Sequence, residues 1–166
     1  FAMLRSLLVF TGTSLAVGEL LIIIALLTMS VGNLMAFSQL WHKQSDLKRI
    51  LAYSSVAQMG YIILGIGVGL AYGIRVGFEG GLFHIMTHAF MKGLAFLCAG
   101  AFIHQLGTRY LDEMDGIGLS MKVTGFAFAL SLLALAGVPP LSGFMGEWMV
   151  FSGSILTYGS ICLWGI

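Results

Sequence analysis

Hydrophobic residues fill this chain in blocks about as long as a bilayer is thick, and short polar stretches separate them. Crossing the hydrocarbon core takes about 20 predominantly apolar residues. Leu15–Phe37 meets that length with Glu19 near one end, and Ile50–Ala71 meets it with no charge at all. Gly81–His104 meets it although it contains ionisable side chains. Val123–Val150 runs for 28 residues, too long for one straight, untilted crossing. Leu4–Phe10 reads as the tail of an earlier helix, and Phe151–Ile166 as the start of another, after or continuous with its predecessor. The predicted loops are Ser38–Arg49, Tyr72–Gly80 and Gln105–Lys122. The chain shows no strand-like alternation, no low-complexity linker and no clear internal repeat. The expected fold is an all-α membrane protein: a polytopic transmembrane helix bundle, one domain over residues 1–166, with the long fourth block broken.

Composition agrees. The chain is 58% hydrophobic and 9% charged, with mean hydropathy +0.98, against about 25% charge in a soluble domain. A formal net charge of +1 and the lack of a basic cluster argue against a nucleic-acid partner. Cys98 and Cys162 lie in apolar runs without metal-ligand or redox spacing and read as small core residues. Phe1 opens the chain inside an apolar stretch with no basic segment before it, so no signal peptide is visible. The chain starts without Met and stops at Ile166 inside an apolar run, and reads as a fragment of a longer polytopic chain. Ser38–Arg49 and Gln105–Lys122 lie two spans apart and must share a side. They hold Lys43, Lys48, Arg49, Arg109 and Lys122, against Arg5 and Arg75 opposite. Basic residues at span ends favour the cytoplasm, which places Ser38–Arg49 and Gln105–Lys122 there.

Three features carry candidate chemistry. In the third block, His84, His88 and Lys92 are spaced i, i+4, i+8. Four residues turn a helix about 40° beyond a full circle, so the three form a slowly drifting stripe. An ionisable group at bilayer depth costs roughly 2.5 kcal/mol or more, and the stripe suggests a proton path. A metal or haem on the two histidines lacks a matching ligand set. The fourth block contains Ala136-Gly-Val-Pro-Pro-Leu-Ser-Gly-Phe-Met-Gly-Glu147. Pro139 and Pro140 each remove a backbone donor, and with Gly137 and Gly143 they should interrupt the helix. Glu147 follows two turns later. One reading is a packing kink with an acid near a membrane face. The other is a hinge beside an ion path, because freed backbone groups at depth are tolerated only against protein or a water-filled cavity. The third feature is Gln44 to Tyr61. Lys48 and Arg49 at a span entrance read as ordinary snorkelling anchors, Asp46 suits a helix cap, and Tyr53, Ser54, Ser55 and Gln58 could hydrogen-bond to neighbouring helices or hold water.

Asp46-Leu-Lys-Arg-Ile-Leu-Ala-Tyr-Ser-Ser-Val-Ala-Gln-Met-Gly-Tyr61, then His84-Ile-Met-Thr-His-Ala-Phe-Met-Lys92 with Gly107-Thr-Arg109, then Gly137-Val-Pro-Pro-Leu-Ser-Gly-Phe-Met-Gly-Glu147 closely resemble, in order, the motifs of the antiporter-like membrane subunits of respiratory complex I. The likeness covers essentially the whole chain and is strongest to N- and M-type subunits, of which this looks like roughly the middle third. The same fold occurs in archaeal reduced-deazaflavin dehydrogenases, membrane-bound hydrogenases and Mrp cation/proton antiporters.

The resemblance implies that His84, His88 and Lys92 belong to a hydrated polar axis across the membrane. It also implies that Glu147 is the terminal proton-exchanging group on the broken helix, with Lys48 a further candidate for proton transfer. Glutamate at that last position is the M-type variant; N-type subunits usually have lysine, which leaves the subtype open. The family's upstream glutamate and lysine are not matched, and the surroundings of Glu19 fit neither. The implied function is proton translocation in a translocase driven by NADH- or reduced-deazaflavin:quinone oxidoreduction in a prokaryotic cell membrane. The implied partners are other membrane and peripheral subunits, the lipid bilayer, and protons or sodium ions. Quinone or another electron acceptor would be used elsewhere in the complex, since the chain has no flavin motif, iron–sulfur cysteines or haem ligand pair. Two rivals stay open: a subunit of a Mrp-type antiporter or membrane-bound hydrogenase, and a scaffold whose polar groups only lock helices together.

Overall fold

A computed structural model describes residues 15–41 and 45–164, with side chains described as far as Thr157. Leu4–Phe10, Arg5 and Lys43 lie outside the described residues, as does the side chain of Cys162. The described chain is helical: α1 (Leu15–Gln39), α2 (Leu47–Tyr72), α3 (Arg75–Leu106), the single turn α4 (Ile117–Ser120), α5 (Lys122–Leu135) and α6 (Ser142–Trp164). Helices α1, α2 and α3 are long and apolar enough to cross a membrane. α1 packs on α2 and α2 on α3, while α3 also packs against α5 and α6. This is the all-α membrane helix bundle expected from the pattern.

Polar and apolar residues are distributed as a bilayer requires. Phe90 and Leu97 on α3 are 76% and 74% exposed, whereas Lys92 between them is 5% exposed and His84 is fully covered. Among the described residues, outward surfaces are largely oily and ionisable groups at mid-helix turn inward. In lipid, every backbone group must be satisfied within the protein, which a helix does by its own ladder.

Two predicted boundaries need correction. The loop Tyr72–Gly80 is only Gly73 and Ile74, because α3 starts at Arg75. Gly73 caps α2 in the left-handed conformation, φ 68°, and its N–H donates to the Gly69 carbonyl, so one residue turns the chain. At 32 residues α3 is about 48 Å long, which exceeds a hydrocarbon core and allows tilt or protrusion. The other concerns the end of the fourth block: of the two readings at Phe151 the continuous one holds, since α6 runs unbroken from Ser142. The Val123–Val150 block divides instead between Leu135 and Ser142, at the two prolines.

The segments before α2 and after α3 are joined. Asp46 and Tyr110 form an isolated antiparallel bridge, with Leu47 N–H donating to the Arg109 carbonyl at 3.1 Å and Leu111 N–H to the Ser45 carbonyl at 2.8 Å. The two loops predicted to share a side therefore do. Asp46 is also the N-cap of α2, accepting from the N–H groups of Lys48 (2.9 Å) and Arg49 (3.4 Å), and its Oδ2 lies 3.3 Å from Arg109 Nε. The cap satisfies donors that a helix start leaves free. The guanidinium of Arg109 is mostly exposed, so solvent screens that pair and the cap dominates. Asp46→Ala is expected to destabilise the helix start by about 1 kcal/mol and Asp46→Asn by much less. Thermal unfolding of the solubilised complex checks this ranking, and equal losses would contradict it.

Candidate functional site

The polar residues of α2, the stripe on α3 and the break between α5 and α6 meet inside the bundle. Lys92 stands close to midway along α3, and Nζ donates to the carbonyl of Leu51 at 2.8 Å and to Ser54 Oγ at 2.5 Å, both on α2. One turn back, His88 is half-buried, with Nε2 buried and without a protein partner. Another turn back, His84 is fully buried; its ring centroid is 6.3 Å from that of His88, with the planes inclined by 30°. His84 Nε2 lies 2.6 Å from Gln58 Oε1, and its Nδ1 has no protein partner. Gln58 Nε2 donates to Glu147 Oε1 at 3.1 Å and to the carbonyl of Leu135 at 3.5 Å.

The break explains why Gln58 and Glu147 find each other. α5 ends at Leu135, and Gly137 continues in the left-handed conformation, φ 66°. The N–H groups that follow bond back to Leu132, Leu133 and Ala134, and the Leu135 carbonyl is the one that Gln58 takes. Prolines at 139 and 140 supply no N–H, so the ladder cannot resume before Ser142. A Cβ on Gly137 would run into Glu147 Oε2, and one on Gly143 would run into the Ala134 carbonyl. The glycines let the two half-helices close on the carboxylate. The break thus lies where predicted, between Ala136 and Gly143, and Glu147 is half-buried within the protein beside it.

Of the residues singled out, the structure brings His84, His88, Lys92 and Glu147 together with the hinge residues Gly137, Pro139, Pro140 and Gly143. It does not bring in Lys48, which is exposed in the first turn of α2. Gln58 and Ser54, read only as polar residues of one span, turn out to link the groups. Tyr61 lies beside His84, with ring centroids 6.3 Å apart. Among the described residues, no three His, Cys, Asp or Glu side chains gather to hold a metal ion. Cys98 is a buried free thiol.

Gly146 has a role that no motif announced. A Cβ there would sit 2.6 Å from His84 Nδ1 and 3.2 Å from His84 Cβ. The imidazole packs closely against α6 at Gly146, and moving it away would disturb its contact with Gln58. Gly146→Ala is therefore expected to cost about 1–3 kcal/mol by overpacking and to displace the His84–Gln58 contact. Stability and proton uptake measured on the same preparation test this; parental values for both would show that the site gives way freely.

A family of membrane proteins described as NADH:quinone oxidoreductase/Mrp antiporter, transmembrane, matches residues 1–166. The chain belongs to this family. Among its relatives, the F(420)H(2) dehydrogenase subunit L of Methanosarcina mazei is 46% identical over 110 residues, 62% of this chain and 16% of that protein. Formate hydrogenlyase subunit 3 of Escherichia coli is 34% identical over 81% of this chain and 22% of its own length. NADH-quinone oxidoreductase subunit N of Chlorobium chlorochromatii is 38% identical over 87% of this chain and 26% of its own length. The chain thus spans about a sixth to a quarter of the relatives it matches. As a member of the antiporter family it is an integral, multi-pass membrane protein, with its polar groups where such a protein can use them.

Proposed function

We propose that this chain carries part of the proton path of an antiporter-like membrane subunit in a complex I-like redox-driven pump. The pump would be of the NADH- or reduced-deazaflavin:quinone type, in a prokaryotic cell membrane, with the joined loops around Asp46 and Arg109 facing the cytoplasm. One observation carries this reading: titratable side chains and their hydrogen-bonding partners run from Lys92 through His88 and His84 to Glu147, inside helices whose outer faces are apolar. A packing device would need neither two histidine nitrogens without protein partners nor a carboxylate at a helix break.

The roles follow from the contacts. Lys92 holds a proton between Ser54 and the Leu51 carbonyl. His88, one turn away, can carry a second positive charge. Away from water, like charges at this spacing repel strongly, so a proton arriving on one drives a proton off the other. Histidine passes protons readily, having two nitrogens that exchange roles. Glu147 takes or releases the proton at the break, where Oε2 faces Gly137. Electrons would travel through other subunits, and quinone or another acceptor would bind there.

The family description also names Mrp antiporters, and one relative is a formate hydrogenlyase subunit, so cation/proton exchange and a hydrogenase complex are the second reading. Purification of the whole assembly separates them. Redox subunits in fixed ratio, with proton uptake that needs electron donor and no sodium, support the pump. Sodium-driven proton movement without donor supports the antiporter and overturns the first reading.

A further inference from the structure

Gln58 is the residue in this cluster that cannot titrate, and it stands between two that can. Its orientation is fixed by its neighbours. The nitrogen end meets two acceptors, Glu147 Oε1 and the Leu135 carbonyl. With Glu147 ionised, the reversed amide would put three oxygens together with no hydrogen among them. Oε1 therefore faces His84 Nε2, at 2.6 Å. An amide oxygen only accepts, so that nitrogen must carry the hydrogen. Neutral His84 is then protonated on Nε2, and its accepting lone pair is on Nδ1. Nδ1 is buried against Gly146 and has no protein partner, like Nε2 of the neighbouring His88 ring. On the other side, Gln58 ties one oxygen of Glu147 and leaves Oε2 towards the break.

We propose that Gln58 is a positioning residue that fixes His84 with its hydrogen on Nε2 and keeps Glu147 and His84 from exchanging a proton directly. A side-chain amide donates and accepts but does not pass a proton along. The path is thereby divided. His84 gains a proton only at Nδ1, and Glu147 exchanges its own only at Oε2, beside Gly137. Each group still senses the other's charge through the amide dipole, so the two segments are coupled without being continuous. Such a division prevents a pump from short-circuiting between strokes. The inference rests on the proton-path reading.

The test uses the whole complex in sealed vesicles, comparing the parent with Gln58→Glu, Gln58→Met and Lys92→Met. Two quantities are read, from about pH 6 to 8 where an ordinary histidine titrates. One is protons moved per electron pair, and the other is passive proton conductance with donor withheld. Gln58→Glu keeps the shape but makes the bridge titratable. It is expected to raise passive conductance several-fold and to lower the proton ratio, with a changed pH profile. Gln58→Met removes the bridge and is expected to lower pumping without raising conductance. A merely structural role would reduce assembly alike in both variants and leave the conductance and pH profile of the assembled fraction parental. That result overturns the proposal. If Lys92→Met also pumps at the parental ratio and the parental rate, the proton-path reading itself falls. If Lys92→Met fails while both Gln58 variants behave as the parent, only the role of Gln58 is lost.

Discussion

Lys92→Met in the complete complex is expected to lower proton uptake by about two orders of magnitude, the lower range of what a positioned proton-transfer group contributes, while the subunits remain assembled. Methionine keeps most of the chain length and adds no buried charge. It leaves Ser54 Oγ with its own bond to the Leu51 carbonyl, 3.1 Å long, so the loss of the ammonium strands little. The structural cost should be small because a buried charge is expensive even when satisfied, and apolar replacement of such groups is often neutral or better for stability. Lys92→Arg separates charge from titration. Arginine keeps the positive charge but does not release its proton. If the proton on Lys92 must leave in each cycle, arginine fails nearly as badly as methionine. If Lys92 serves only as a fixed cation, arginine restores much of the activity. Proton uptake measured beside donor oxidation in vesicles decides. Electron flow slows where pumping and oxidation are tightly coupled and persists where they slip. An unchanged ratio of protons to electrons at an unchanged rate, in both variants, would remove Lys92 from any obligatory path.

Much of this site was legible from residue type and spacing. Apolar blocks give the helices, since a chain in lipid has few other ways to satisfy its backbone. The break follows from two missing donors, and the inward turn of Lys92 from the cost of an ammonium in lipid. Helical spacing also puts His84, His88 and Lys92 on one stripe. What spacing within one helix does not contain is which face of another helix the stripe meets. Gln58 is 26 residues from His84 and 89 from Glu147, and its place between them depends on how α2, α3 and α6 pack.

Glycine misled in a definite way. Gly77 and Gly80, mixed with Arg75 and Glu79, fell in a predicted loop. The turn needs only Gly73, and the other glycines serve close packing. A Cβ on Gly80 would meet Met149 Cβ at 2.7 Å, and one on Gly153 would meet the Gly77 nitrogen at 2.6 Å. Between membrane helices, small residues let backbones approach where the hydrophobic effect gives no drive to associate. A helix rich in them reads as a loop by composition.

Glu147→Gln is the second large effect expected, and its value lies in how little else it changes. The substituted amide oxygen can still accept from Gln58 Nε2, so the link from α2 to the break survives, and the side chain keeps its length against Gly137. What disappears is the carboxyl's ability to hold and release a proton. Pumping is expected to fall to a small fraction of the parent, near the loss from Lys92→Met, with subunit composition and thermal stability close to parental. Glu147→Leu goes further. It strips Gln58 Nε2 of its nearer acceptor and leaves the longer bond to the Leu135 carbonyl. An under-satisfied buried donor costs about 1–3 kcal/mol, so this variant should lose stability as well as pumping. The two variants then separate titration from architecture. A glutamine variant that pumps normally beside a leucine variant that does not would mean that Glu147 holds the break together without exchanging protons. Failure of both, with only the leucine variant unstable, is the outcome required of a proton-exchanging acid at the end of a divided path.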